Sequence, residues 1–160
     1  MKIAIGSDHA GFALKEDLKY AIDRDLNAIV VDVGTNSEQS VDYPDYAEKV
    51  VRLVQQKEVD FGILICGTGI GMSIAANKFE GIRAAKCNSA VEATLTRQHN
   101  DANILCLASR TVDNELAMQL VKAFAMTDFS AEERHVRRLS KITSLECANH
   151  DEMRKKRMTP

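Results

Sequence analysis

At 160 residues, with 45% hydrophobic and 28% charged residues, the chain has the length and balance of one globular domain, and without tryptophan its core must be largely aliphatic. A net charge of −2 gives no whole-chain attraction to nucleic acid or a membrane surface, the apolar runs are too short to span a bilayer, and Met1 to Gly11 turns polar too soon for a signal peptide. The four cysteines (Cys66, Cys87, Cys106, Cys147) show neither a C-x-x-C pair nor zinc spacing, which points to reduced thiols in the cytoplasm.

Lys2 to Gly6 reads as a first strand, followed by the turn Ser7-Asp8-His9-Ala10-Gly11 and a helix with Leu14, Leu18, Ala21 and Ile22 on one face. The plainer reading of Asp8 is a helix cap, and of His9 a polar turn residue. Ile29 to Val33 is a second strand. A polar loop over Asn36 to Pro44 leads to a helix from Asp45 to Gln56, with Tyr46, Val50, Leu53 and Val54 inward.

Phe61 to Lys78, FGILICGTGIGMSIAANK, is the centre of the chain. An apolar run of strand length ends at Cys66, and Gly67, Gly69 and Gly71 alternate before a segment of helical composition. A buried strand, a glycine turn and a helix N-terminus is how α/β proteins cradle anions, because successive N–H groups can converge on one oxygen. Three familiar motifs fail at one residue. A dinucleotide fingerprint needs a third glycine where Met72 stands, a Walker loop needs a lysine there, and a C-x5-R phosphatase an arginine. What remains is a thiol at the lip of an amide cradle, suited to proton transfer or nucleophilic attack. The bland alternative is a buried cysteine beside glycines that merely permit tight packing.

Gly81 to Ala85 reads as a fourth strand. Ser89-Ala90-Val91-Glu92 is a capping box for a helix toward Arg97, and Gln98 to Asn103 leads into a strand from Ile104 to Ala108. Thr111 to Met126 is an amphipathic helix, and Ser130 to Glu133 a second capping box before a final helix. Residues 1–147 form the domain and residues 148–160 a polar, basic tail expected to fray. Alternating strands and helices predict a parallel sheet covered on both faces, with ligands at the carboxyl ends of the strands. Asp8, His9, the Cys66 loop and Arg110 fall at that edge. His99 and Asn100 fall before the fifth strand, at its amino end, which suggests a supporting role or a site shared between two chains. Arg134, His135 and Arg138 in the last helix read either as a solvated charged face or as a phosphate site.

The segments SDHAG, SVDYPDYA, CGTGIGMSIAANK, RAAKC, HNDANILCLASRT and EERHVRR, in this order and spacing, resemble the type B ribose-5-phosphate isomerases over nearly all of Met1 to Cys147. The wider family includes galactose-6-phosphate and allose-6-phosphate isomerases. The resemblance implies a Rossmann-like three-layer α/β/α sandwich with a parallel sheet of about five strands. It also implies a dimer or dimer of dimers working without metal or cofactor. In its terms Cys66 is the base that moves a proton between C1 and C2, and the subgroup with a glutamate base would carry it where Met72 stands. Gly67, Gly69, Ile70 and Gly71 belong to the anion hole with Thr68 nearby, and His99 opens the furanose ring. Asp8 or Asp42, with Tyr43, would lie around the sugar, while His9, Arg110, Arg134, His135 and Arg138 take the phosphate. His99, Asn100 and Arg110 would come from a neighbouring subunit.

The expected activity is interconversion of ribose 5-phosphate and ribulose 5-phosphate in the non-oxidative pentose phosphate pathway. A six-carbon sugar-phosphate isomerase and a non-catalytic sugar-phosphate binding module are the other readings. No nucleic acid or membrane partner is expected.

Overall fold

The computed structural model describes residues 1–158, with side chains through Ala148. In chain order the elements are β1 (Lys2–Ser7), α1 (Phe12–Leu26), β2 (Ile29–Asp32), α2 (Tyr43–Gln55), β3 (Phe61–Cys66), α3 (Ile70–Ala76), β4 (Ala84–Lys86), α4 (Ala90–Asn100), β5 (Ile104–Ala108), α5 (Asn114–Ala125) and α6 (Glu133–Met158). A 3-10 turn, His9–Gly11, joins β1 to α1. All strand pairs are parallel, in the order β2-β1-β3-β5-β4.

The central position of β3 explains its unbroken apolar sequence, since a parallel strand covered on both faces has no side to give to water. Its side chains alternate between two cores. Ile63 and Ile65 join Ile3, Ile5, Leu105 and Leu107 under α1 and α5. Leu64 and Cys66 join Ala4, Ile104 and Cys106 under α2 and α3. Each fully buried Ile or Leu contributes about 1.5–3 kcal/mol, so the sheet centre is the rigid base on which the edge loops stand. Among the described residues no helix is long and apolar enough to cross a membrane.

Several local expectations shift. Helix α2 starts at Tyr43, not Asp45, because Pro44 fits its first turn, and it buries Ala47, Val50 and Val51. Tyr46, Leu53 and Val54 are only partly buried against the same core. β4 starts at Ala84, not Gly81. Gly81 turns the chain with φ +74°, and Asn77 then brackets Ala84, donating Nδ2 to its carbonyl (2.8 Å) and accepting its N–H (2.8 Å). Ser89 caps α4 through Glu92 N–H at 3.2 Å, while the Glu92 carboxylate reaches one residue further back than in a capping box, to Asn88 N–H. Ser130 does not cap α6; its hydroxyl turns to His135. Helix α6 spans Glu133–Met158. Thr159 and Pro160, the end of the tail, lie outside the described residues.

The helical pattern leaves Lys15 among polar positions, yet it is fully buried. Its Nζ lies 2.6 Å from Asp32 Oδ2 and 2.5 Å from Glu16 Oε1, and Lys19 Nζ adds a 2.7 Å contact to Asp32. Burial pushes the Asp32 carboxyl up, but hydrogen bonds from Lys15, Lys19 and Gly34 N–H outweigh it and hold the group below the usual carboxylate range. The end of β2 is where a dinucleotide-binding sheet presents an acid to ribose. Here two lysines occupy that acid.

Candidate active site

The turns after β1, β3 and β5 are sewn into one edge. Asp8 N–H donates to Ile65 O (3.2 Å) and Ser109 N–H to Cys66 O (3.0 Å), while Arg110 N–H donates to Gly67 O (3.2 Å). Ser109 Oγ adds bonds to Ala10 O (2.8 Å) and Cys66 O (3.2 Å). Sequence reasoning passed over Ser109, although a polar residue directly after an apolar strand was the available signal.

Cys66 is 4% exposed at the end of β3. Its Sγ accepts the Gly69 N–H at 3.2 Å. That contact requires the tight turn made by Gly69, whose φ of +71° lies in the left-handed region. An N–H fixed on sulfur is placed to support negative charge there. The exposed Thr68 accepts the Ile70 N–H on Oγ1 at 3.3 Å. Of the amides between Gly67 and Gly71, Gly69's is thus turned inward to the sulfur and Ile70's to a hydroxyl.

Three side chains close around this loop. A Cβ placed on Gly71 would come within 2.9 Å of Tyr43 Cζ, one on Gly67 within 3.1 Å of Arg110 Nε, and one on Gly69 within 3.0 Å of Lys86 Cγ. Tyr43, Arg110 and Lys86 therefore pack directly on the glycines. Lys86 was missed because its strand was read too early; the register puts it at the carboxyl end of β4.

His9 and Asp42 reach the same edge by a clamp. His9 Nδ1 accepts the Val41 N–H (3.2 Å), which binds the loop before α2 onto the turn after β1 and leaves the proton of the neutral ring on Nε2. Asp42 holds the N-cap position of α2 without making a side-chain cap, so its exposed carboxylate stays available. Asp8 is 7% exposed and does cap, accepting the Gly11 N–H at 3.1 Å.

The remaining candidates assemble elsewhere. His99 and Asn100 end α4, and the His99 ring stacks on His135 at a centroid distance of 4.4 Å. Arg134 and Arg138 are exposed on the first turns of α6, and Arg134 pairs with Glu132 at 2.9 Å. A brace fixes this corner: Asp101, left-handed at φ +42°, receives both Arg83 and Arg97 at 2.9 Å. Arg97 also donates to Thr127 O (3.2 Å) and Ala102 O (2.6 Å). Because α4 descends to the amino end of β5, this group is separated from Cys66 by the six residues of β3, roughly 20 Å at ~3.3 Å per residue. The expected phosphate cluster is thereby divided within one chain. His9 and Arg110 stand with Cys66; Arg134, His135 and Arg138 stand with His99. Arg110, which the resemblance drew from a neighbouring subunit, lies against Gly67 of its own chain.

Residues 3–142 match the family described as Ribose/Galactose Isomerase. The chain is 48% identical to ribose-5-phosphate isomerase B of Escherichia coli over 146 residues, covering 91% of this chain and 96% of that protein. Among solved structures, ribose-5-phosphate isomerase B of Clostridium thermocellum superposes with a TM-score of 0.90 at 46% identity, covering 93% of this chain and 99% of that one. A ribose 5-phosphate isomerase of Thermotoga maritima gives 0.86 at 53% identity, covering 89% and 97%.

Proposed function

The chain belongs to the ribose/galactose isomerase family, and from that membership we propose that it is an aldose–ketose isomerase interconverting ribose 5-phosphate and ribulose 5-phosphate. The observation that carries the chemistry is the Gly69 N–H directed at Cys66 Sγ within a glycine loop at the carboxyl edge of the sheet. In the forward direction the Cys66 thiolate removes the proton from C2 of the open-chain aldose. Charge moves onto O1, which the loop amides and Thr68 would stabilise, and the enediolate is protonated at C1 as the O2 proton passes to O1. The donors proposed for that charge are the loop amides other than the Gly69 N–H, which is turned to Cys66 Sγ. Asp8, Asp42 and Tyr43 surround the sugar hydroxyls. Arginines holding the phosphate, remote from C1 and C2, supply orientation.

His99 is assigned to opening the furanose, which requires it near the same sugar as Cys66. The roughly 20 Å between the two groups within one chain favours a two-fold dimer whose pocket takes His99, Asn100 and the α6 arginines from the second copy. Exposed Ile70 and Ile74 on α3, and Val91 and Leu95 on α4, offer apolar surface for such an association. This enzyme would serve the non-oxidative pentose phosphate pathway in the cytoplasm.

Solvent deuterium entering the product at the transferred carbon tests the reaction, with ribose 5-phosphate, allose 6-phosphate and galactose 6-phosphate assayed in parallel. Cys66→Ala is expected to lower turnover by on the order of 10²-fold or more while sugar-phosphate binding persists. Full turnover in folded Cys66→Ala would remove the thiol from the mechanism, and faster use of a six-carbon substrate would reassign the specificity.

A further inference from the structure

Ser130 has no part in the chemistry above, yet the backbone is strained to place it. Ala131 lies at φ +52°, a left-handed conformation that L-residues rarely adopt. Ser130 N–H donates to Gln98 O at 3.1 Å, anchoring the turn to the end of α4. The turn delivers Ser130 Oγ to within 2.7 Å of His135 Nδ1. Glu132 N–H donates to the same Oγ at 3.4 Å and occupies one of its lone pairs, leaving the hydroxyl's own proton for Nδ1 in the arrangement inferred below. An accepting Nδ1 leaves the proton of a neutral imidazole on Nε2.

His135 is only 2% exposed, and its ring is tilted 38° on that of His99. Burial holds its basicity below the ordinary histidine range, and His99 from α4 with Arg134 and Arg138 from α6 act in the same sense, opposed by Glu132. A cationic His135 would therefore face another imidazole and two arginines. The ring is a neutral platform rather than a surface charge.

We infer that Ser130 is a positioning residue for furanose opening: it fixes His135 as the Nε2–H tautomer, and that buried ring orients His99. This rests on the role proposed for His99. Without the hydroxyl, His135 can turn over or exchange tautomers, and the surface beneath His99 is no longer single. Proton transfer at a misplaced imidazole slows because the near-attack geometry is lost, while the Cys66 step, which does not pass through His99, is left alone.

The test uses Ser130→Ala and Ser130→Thr in the full chain, with His99→Asn as reference. Nitrogen NMR of labelled imidazoles reads the tautomer. Two rates are compared: conversion of ribose 5-phosphate, which requires ring opening, and deuterium exchange at C1 of ribulose 5-phosphate, which has no furanose form. Wild type is expected to show His135 protonated at Nε2 alone. Ser130→Ala is expected to lose that single tautomer and to slow ribose 5-phosphate conversion by on the order of tenfold, with ribulose 5-phosphate exchange within about twofold of wild type. Ser130→Thr, which keeps the hydroxyl, restores both readouts. An unchanged tautomer, an unchanged conversion rate, or equal loss of conversion and exchange in Ser130→Ala overturns the inference. Misfolded Ser130→Ala leaves the wild-type tautomer as the deciding measurement, and a proton on His135 Nδ1 there overturns it as well. If His99→Asn itself converts ribose 5-phosphate normally, the role of His99 falls and this inference with it. A slow His99→Asn beside a normal Ser130→Ala overturns only the inference.

Discussion

Replacing Gly69 by alanine separates the backbone demand of the loop from its chemistry, because the chain contains a control. Gly69 and Gly81 share nearly the same left-handed φ, +71° and +74°, but a Cβ on Gly81 would meet nothing within 4 Å. At Gly69 it would lie 3.0 Å from Lys86 Cγ and 3.1 Å from the carbonyl carbon and oxygen of Leu107. The lysine stem can give way; the Leu107 carbonyl, fixed within β5, cannot. Gly81→Ala should therefore lose about 1–2 kcal/mol of stability from backbone conformation alone. Gly69→Ala should lose that amount plus about 1–3 kcal/mol for the forced contact. Displacing the loop also moves the Gly69 N–H off Cys66 Sγ. If that donor matters as oxyanion-hole donors do, turnover falls by about 10²–10³-fold, whereas Gly81→Ala keeps its rate. Urea unfolding of both variants and steady-state turnover with ribose 5-phosphate give the two readouts. Equal destabilisation of the two would refute the steric argument at Leu107, and a fully active Gly69→Ala would refute the role of its amide.

If each pocket combines Cys66 of one copy with His99 of the other, inactive Cys66→Ala and His99→Asn chains should complement after co-refolding. Random mixing makes about half the dimers mixed, each with one intact pocket, so activity recovers to roughly a quarter of wild type; mixed dimers without activity would place both residues' work inside one chain. Iodoacetamide should label the exposed Cys147 first and Cys66 next. Burial, with the nearby Glu92, pushes the Cys87 thiol up to about 11, and burial, reinforced by Cys66 and Cys87, pushes Cys106 far above the usual thiol range. Ribulose 5-phosphate should protect Cys66 and not Cys147, and Cys87 reacting as fast as Cys66 would count against an activated thiol. Asp32, held below its unfolded-state value of about 3.9, contributes stability that is present above that pH and lost as the pH falls through its native value. Asp32→Asn should be less stable at pH 7 and less acid-sensitive below about pH 4, as read by thermal unfolding as the pH is lowered; an unchanged acid profile would show that the Lys15 pair does not carry it.

The sequence determined the order of strands and helices, the parallel sheet, and the identity of the central strand and thiol loop. Those features are local or periodic: an apolar run without polar interruptions, alternating glycines, and helix faces spaced at three and four. The resemblance carried by CGTGIGMSIAANK and HNDAN is enough to name the family. What the sequence left undecided depends on residues far apart in the chain. The burial of Lys15 follows from Asp32 on the neighbouring strand, and no helical period could place a lysine inside. Lys86 reached the thiol loop only once Gly81 had delayed the start of β4. Ser130 looked like half of a capping box, but a left-handed Ala131 turned its hydroxyl onto His135. The division of the polar residues into two groups at opposite ends of the sheet is also a tertiary fact. It follows from α4 running back against the strands, which carries His99 away from Cys66 of its own chain.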